Sequence, residues 1–113
     1  MSNLEKRAVD ATAAYLCSKG YDVLDVLDGN EAVKIVARDN DTDETVFVSV
    51  QLRQRASDAE PAQPQRAEYE AEACEWLADH GNLGKCRFDA VLLTVAGDGR
   101  ALLCHHINCL DTF

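Results

Sequence analysis

The side chains best suited to hold a metal or attack a substrate gather near the C-terminus, in Cys104-His105-His106-Ile107-Asn108-Cys109. Thiolate and imidazole are the donor types of a zinc site, but the spacing argues against one. Zinc is normally held by close ligand pairs from two separate knuckles. Here the second pair would have to come from scattered residues such as Cys17, Cys74 or Cys86. Alternation on a strand also sends His105 and His106 to opposite faces. The expectation is no bound metal or other cofactor, with the cysteines buried in a core as small apolar residues. A metal- or thiol-dependent enzyme using residues 104–109 is an alternative from another class. No motif marks a Cys-His catalytic pair, and five cysteines with three histidines make accidental neighbours in so small a domain.

A second place for chemistry is Val46 to Arg53, V-F-V-S-V-Q-L-R. Successive strand side chains alternate between faces. Val46, Val48, Val50 and Leu52 form an apolar face that reads as core. Phe47, Ser49, Gln51 and Arg53 form the other, polar beyond its first residue, where reactive groups would stand. Ser49 and Gln51 suit that work poorly. Neither titrates near neutral pH, and neither is a strong metal ligand.

The elements that position these residues follow from periodicity. Leu4 to Lys19 has helical spacing in Leu4, Ala8, Ala11 and Tyr15, with Ala14 and Cys17 widening the stripe and Gly20 as a stop. Tyr21–Leu27 reads as a strand, and Asp28-Gly29-Asn30 as a turn. Glu31–Arg38 is a second strand, with Val33, Ile35 and Ala37 on one face and Ala32, Lys34 and Val36 on the other. The polar turn 39–43 makes a hairpin into the strand at 45–53. Residues 54–64, with Ser57, Pro61 and Pro64, read as a mobile loop. Gln65–His80 is a second helix with Tyr69, Ala73, Trp76 and Leu77 on its buried stripe and Gly81 at its end. Arg87–Ala96 is a strongly apolar, internal strand. Gly97-Asp98-Gly99 turns it into a last strand, Ala101–Ile107.

At 113 residues the chain is long enough for one domain with a modest core. The order α-β-β-β-α-β-β implies a single α/β domain, with a central mixed sheet of about five strands flanked by the helices. The formal net charge of −9 repels nucleic acid unless basic residues cluster. Arg53, Arg55, Arg66 and Lys34 are the candidates for such a cluster. Asp58, Glu60, Glu68, Glu70 and Glu72 stand nearby, so these cations read as ordinary solvated charges. The start, M-S-N-L-E-K-R-A, lacks the apolar segment of a signal peptide, and no apolar run reaches a membrane span. A cytoplasmic protein with reduced thiols is expected.

Four segments in order resemble the YraN-type family of uncharacterised bacterial proteins, which have a restriction-endonuclease-like fold. They are A-A-Y-L-C-S-K-G-Y-D-V-L (13–24), V-K-I-V-A-R-D (33–39), V-F-V-S-V-Q-L-R (46–53), and W-L-A-D-H-G (76–81) continuing to R-F-D-A-V (87–91). The closing H-I-N (106–108) also fits. Nucleases of this class hold a divalent metal between an Asp on one strand and a Glu on the next, with a Lys two residues beyond the Glu. Hard oxygen ligands suit Mg²⁺, which activates a water and stabilises phosphoryl charge.

The resemblance places the first strand's Glu on Ala32 and its Asp on Lys34, and the second strand's Glu on Ser49 and its Lys on Gln51. A helical Glu falls on Val9, one step from Asp10. Val9, Ala32, Lys34, Ser49 and Gln51 are therefore vestigial active-site positions without a carboxylate, and Lys34 should repel Mg²⁺. Glu31 is expected on the face opposite Lys34, where it replaces no ligand unless a bulge intervenes. The implied protein is a catalytically inactive, nuclease-like binding or interaction module with no identified partner. The alternative is nucleic-acid binding without cleavage through Lys34, Gln51, Arg53 and Arg55. The strand edge at 101–107 could also pair two copies as a homodimer.

Overall fold

Both helices stop at glycines in the left-handed region. The computed structural model describes residues 3–29, 31–54, 65–81, 84–95 and 100–109. Helix α1 (Asn3–Ser18) ends before Gly20, at φ +90°, and α2 (Arg66–His80) ends at Gly81, at φ +81°, whose N–H donates to the Leu77 carbonyl at 2.8 Å. That conformation costs glycine little. The strands are β1 (Tyr21–Val26), β2 (Val33–Asp39), β3 (Glu44–Arg53), β4 (Cys86–Val95) and β5 (Ala101–His106). The expected element order is the observed one, with boundaries shifted by no more than a couple of residues. Of the expected loop 54–64 only Gln54 is described; Arg55 and the turn at 97–99 lie outside the described residues.

The strands form one mixed sheet in the order β1-β2-β3-β4-β5. β1, β2 and β3 are an antiparallel meander, β4 runs parallel to β3, and β5 returns antiparallel to β4. A parallel neighbour needs a crossover, and α2 lies in that connection. The two helices cover opposite faces, giving an α/β domain with a core on each side. Val9 and Leu16 of α1 meet Ile35, Ala37, Val46, Val48 and Val91 on one face. Tyr69, Ala73 and Trp76 of α2 meet Val33, Val36 and Phe47 on the other. Among the described residues, no helix is long and apolar enough to cross a membrane.

Three sequence expectations are corrected. The buried stripe of α1 is Ala8, Val9, Thr12 and Leu16, whereas Leu4, Ala11, Ala14 and Cys17 are exposed. The larger apolar groups Val9 and Leu16 set the orientation. Thr12 joins them because its hydroxyl donates to the Ala8 carbonyl at 2.8 Å, leaving no unpaired donor.

The polar face of β3 is not an open one: Phe47 and Ser49 are both buried beneath α2. A strand sandwiched between two helices is core on both sides, so alternation alone does not reveal a solvent face. On β2, register shifts between Val33 and Ile35. The extra residue is Lys34. Val33 and Val36 therefore share the α2 face while Ile35 and Ala37 share the α1 face, which overturns the expected division.

Candidate functional site

A groove of about 300 Å³ runs between the first half of α1 and the ends of β2 and β3. Its lining is Glu5, Ala8 and Val9 from the helix, Lys34 from the bulge, and Val50, Gln51, Leu52 and Gln54 from β3 and the residue after it. Three of the five vestigial positions, Val9, Lys34 and Gln51, thus meet in one place. Lys34 is half-buried, and its Nζ donates to the Gly29 carbonyl at 2.9 Å. Glu5 is the single acidic residue in this lining. One carboxylate facing an ammonium is no magnesium site, which needs several oxygen ligands and negative charge. Asp10 pairs with Lys6 at 3.5 Å on the exposed side of α1 and does not line the groove.

The other two vestigial positions lie on the α2 side. Ser49 is 1 % exposed, and its Oγ accepts the Tyr69 hydroxyl at 2.5 Å. Burial pushes the Tyr69 phenol well above its ordinary pKa, so it stays a donor. The Ala32 and Val33 N–H groups both donate to Glu72, at 3.0 and 2.7 Å. Glu72, named in the sequence only as an acidic neighbour of the cations, has a structural task. Its carboxylate fastens α2 to the start of β2 with charge-assisted bonds. Both positions, expected as vestigial places in a cleft, serve helix–strand packing.

The basic set divides similarly. Lys34 and Gln51 share the groove, but Arg53 Nε donates to Thr94 Oγ1 on β4 at 3.2 Å. Arg66 pairs with Glu70 one turn along α2, at 2.7 Å, as the acidic neighbourhood implied. Four cysteines are exposed and Cys109 is half-buried, so the expectation of core cysteines fails. The cores are filled by branched and aromatic side chains, and the thiols fall on outer faces. Cys104 and His106 project together, Sγ to Nε2 3.5 Å, while His105 turns to the other face as alternation required. Among the described residues, no group of three or more His, Cys, Asp or Glu is arranged to hold a metal ion.

The most concentrated polar chemistry centres on two residues that no expected site included, Arg87 and Asp89. Arg87 and Asp89, both buried on β4, lie at the other end of α1. Arg87 donates from Nε to Asp89 at 2.9 Å and from Nη2 to Asp89 at 3.0 Å and the Tyr21 hydroxyl at 2.8 Å. Its Nη1 reaches Asp39 at 2.9 Å and Glu44 at 3.1 Å. Asp89 also accepts the Asn108 N–H at 2.9 Å and meets His105 Nε2 at 2.8 Å.

Burial pushes the Asp89 carboxyl up. Bonds from His105, Arg87 and the Asn108 N–H outweigh burial and hold it below the ordinary carboxylate range. An ionised Asp89 only accepts, so Nε2 of His105 carries a proton, and Nδ1 faces the Tyr15 hydroxyl at 3.1 Å. Burial likewise disfavours the Arg87 cation, and its carboxylate partners more than restore it. Saturated and enclosed, this cluster ties β1, β2, β3, β4, β5 and α1 together. A signal existed in R-F-D: charges two apart in an apolar internal strand share a buried face and must be paired.

No family model and no curated protein matches this chain.

Proposed function

We propose that this protein is a restriction-endonuclease-like domain, related to the YraN-type proteins, that has lost nuclease chemistry and acts as a binding module. The observation that carries this reading is the groove holding Val9, Lys34 and Gln51 together. A cation stands where the reading expects the principal metal ligand. Ser49, where it expects a second carboxylate, is hydrogen-bonded inside a core. Magnesium-assisted attack on a phosphodiester needs a clustered set of oxygen ligands. This groove offers one carboxylate, one ammonium, two amides and an apolar wall.

That mixture favours a polypeptide segment as the occupant. Gln51 and Gln54 can hydrogen-bond a peptide backbone, Ala8, Val9, Val50 and Leu52 supply apolar contact, and Glu5 and Lys34 balance in charge. Nucleic acid is the weaker reading, because one lysine on a protein of net charge −9 attracts few phosphates.

The test has two arms. Pure protein with magnesium or manganese is incubated with single-stranded, duplex and branched DNA, and each DNA is titrated at low salt. Neither cleavage nor a shift is expected; cleavage abolished by Lys34→Ala overturns the reading. Peptides selected from a random library on the wild-type protein should lose at least tenfold affinity on Lys34→Glu. If every selected peptide binds that variant equally, the groove is not the binding surface.

A further inference from the structure

We infer that Cys104 and His106 form half of a zinc site that a second copy of this chain completes, joining two sheets edge to edge. The site does not rest on the reading of the groove, which lies elsewhere on the domain.

Cys104 and His106 are two residues apart on β5, on one face, and both are exposed. Sγ and Nε2 are 3.5 Å apart. Around tetrahedral zinc, with Zn–S of about 2.3 Å and Zn–N of about 2.0–2.1 Å, a sulfur and a nitrogen ligand stand about 3.5 Å apart. The pair is thus already at the spacing of a chelate. The thiol and the ring satisfy one another.

Two ligands do not make a structural zinc site, which takes four. Among the described residues no third His, Cys, Asp or Glu converges on the pair. His105 is engaged with Asp89 on the opposite face, at 2.8 Å. The missing ligands must come from another molecule, and the position of β5 shows where. Among the described residues it is the last strand of the sheet and pairs with β4 alone, so its outer edge presents backbone donors and acceptors to an added strand.

An antiparallel, two-fold pairing of β5 with itself, centred on His105, sets Cys104 opposite the partner's His106 and His106 opposite the partner's Cys104. Directly opposed residues have Cβ atoms about 4.5–5.5 Å apart, so two thiols and two imidazoles converge on one face. β5 ends at His106, so this register overlaps residues 104–106 of the two copies. The overlap is short, and zinc is what makes it hold. Each zinc takes two thiolates and two neutral imidazoles, leaving a site of zero net charge and releasing two protons.

Zinc titration of the full-length, reduced protein tests this, with mass measured by light scattering after gel filtration. A monomer should become a dimer at half an equivalent of zinc per chain. Cobalt in its place should give a thiolate-to-metal charge-transfer band with the same stoichiometry. Cys104→Ser and His106→Ala should each weaken metal-dependent dimerisation at least tenfold. Both side chains are exposed, so circular dichroism should confirm that the variants fold. Cys17→Ser and Cys86→Ser should behave as wild type. A protein that stays monomeric with zinc, binds one zinc per chain without dimerising, or dimerises equally well as Cys104→Ser overturns the proposal.

Discussion

Restoring a carboxylate at Ser49 should damage the fold rather than recover a metal site. Ser49 is 1 % exposed, lies between Val33 of β2 and Ala90 of β4, and accepts the Tyr69 hydroxyl at 2.5 Å. Ser49→Glu adds three heavy atoms to a filled position, and overpacking of that kind costs about 1–3 kcal/mol. It also encloses a carboxylate beside the Tyr69 phenol and no cation among the described partners of that position. Taking an ion out of water costs several kcal/mol, only partly offset by one hydrogen bond. The sum, roughly 4–8 kcal/mol, is comparable with the whole stability of a small domain, about 5–15 kcal/mol.

Urea unfolding followed by Trp76 fluorescence reads this directly, since Trp76 is buried and stacked on His80 with ring centroids 4.0 Å apart. With a slope of about 1–3 kcal/mol per molar urea, the midpoint should fall by at least about 1.3 M, or the protein should be unfolded in water. Ser49→Ala is the milder companion, removing the acceptor of the buried Tyr69 hydroxyl at a cost of about 1–3 kcal/mol. A Ser49→Glu protein with a midpoint within about 0.5 M of wild type refutes the reasoning, because Ser49 would then face accessible space.

Two further predictions concern the buried charges. Arg87→Met should cost about 3–5 kcal/mol by urea unfolding, because it strands the fully buried Asp89 without its principal countercharge; a loss below about 1 kcal/mol would mean the cluster holds nothing together. Stability should also fall with acid. Asp89 and Asp39 are both held below the ordinary carboxylate range. Burial opposes ionisation at each, and their hydrogen bonds outweigh it. A depressed folded pKa gives stability that is present above the unfolded value, about pH 3.9 for Asp, and is lost as pH falls towards the folded value. Asp89→Asn should flatten the fall in unfolding free energy below about pH 4, and an unchanged acid slope would remove Asp89 from that role.

The elements were legible because periodicity and glycine stops are local. The seven segments, the burial of Trp76 and the opposed faces of His105 and His106 could all be read from spacing. What failed was the assignment of faces. The polar look of Ser49 suggested a cleft, but the sequence of β3 does not reveal that α2 returns over it. The Lys34 bulge is equally invisible, since one extra residue changes no composition while swapping the faces of the residues after it. Arg87 and Asp89 lie within one of the quoted segments, yet their partners come from Tyr21, Asp39, Glu44 and His105, as far as 66 residues away. Such long-range pairing has no local signature.

Curvature is the consequence of that pairing. β1 and β5 are the two edges of a five-stranded sheet, and four strand spacings of about 4.8 Å would hold them roughly 19 Å apart if it were flat. Yet the rings of Tyr21 on β1 and His105 on β5 lie with centroids 6.1 Å apart. The two side chains span part of that gap and curling of the sheet around the C-terminal half of α1 closes the rest, with Arg87 holding Tyr21 and Asp89 holding His105. A surface concave on one side is convex on the other, so side chains splay apart across the outer face and a single helix shelters only its middle. Leu102, Cys104 and His106 are left on the bare flank of that arch. The enclosed charge cluster and the exposed Cys104–His106 pair are two products of one bend.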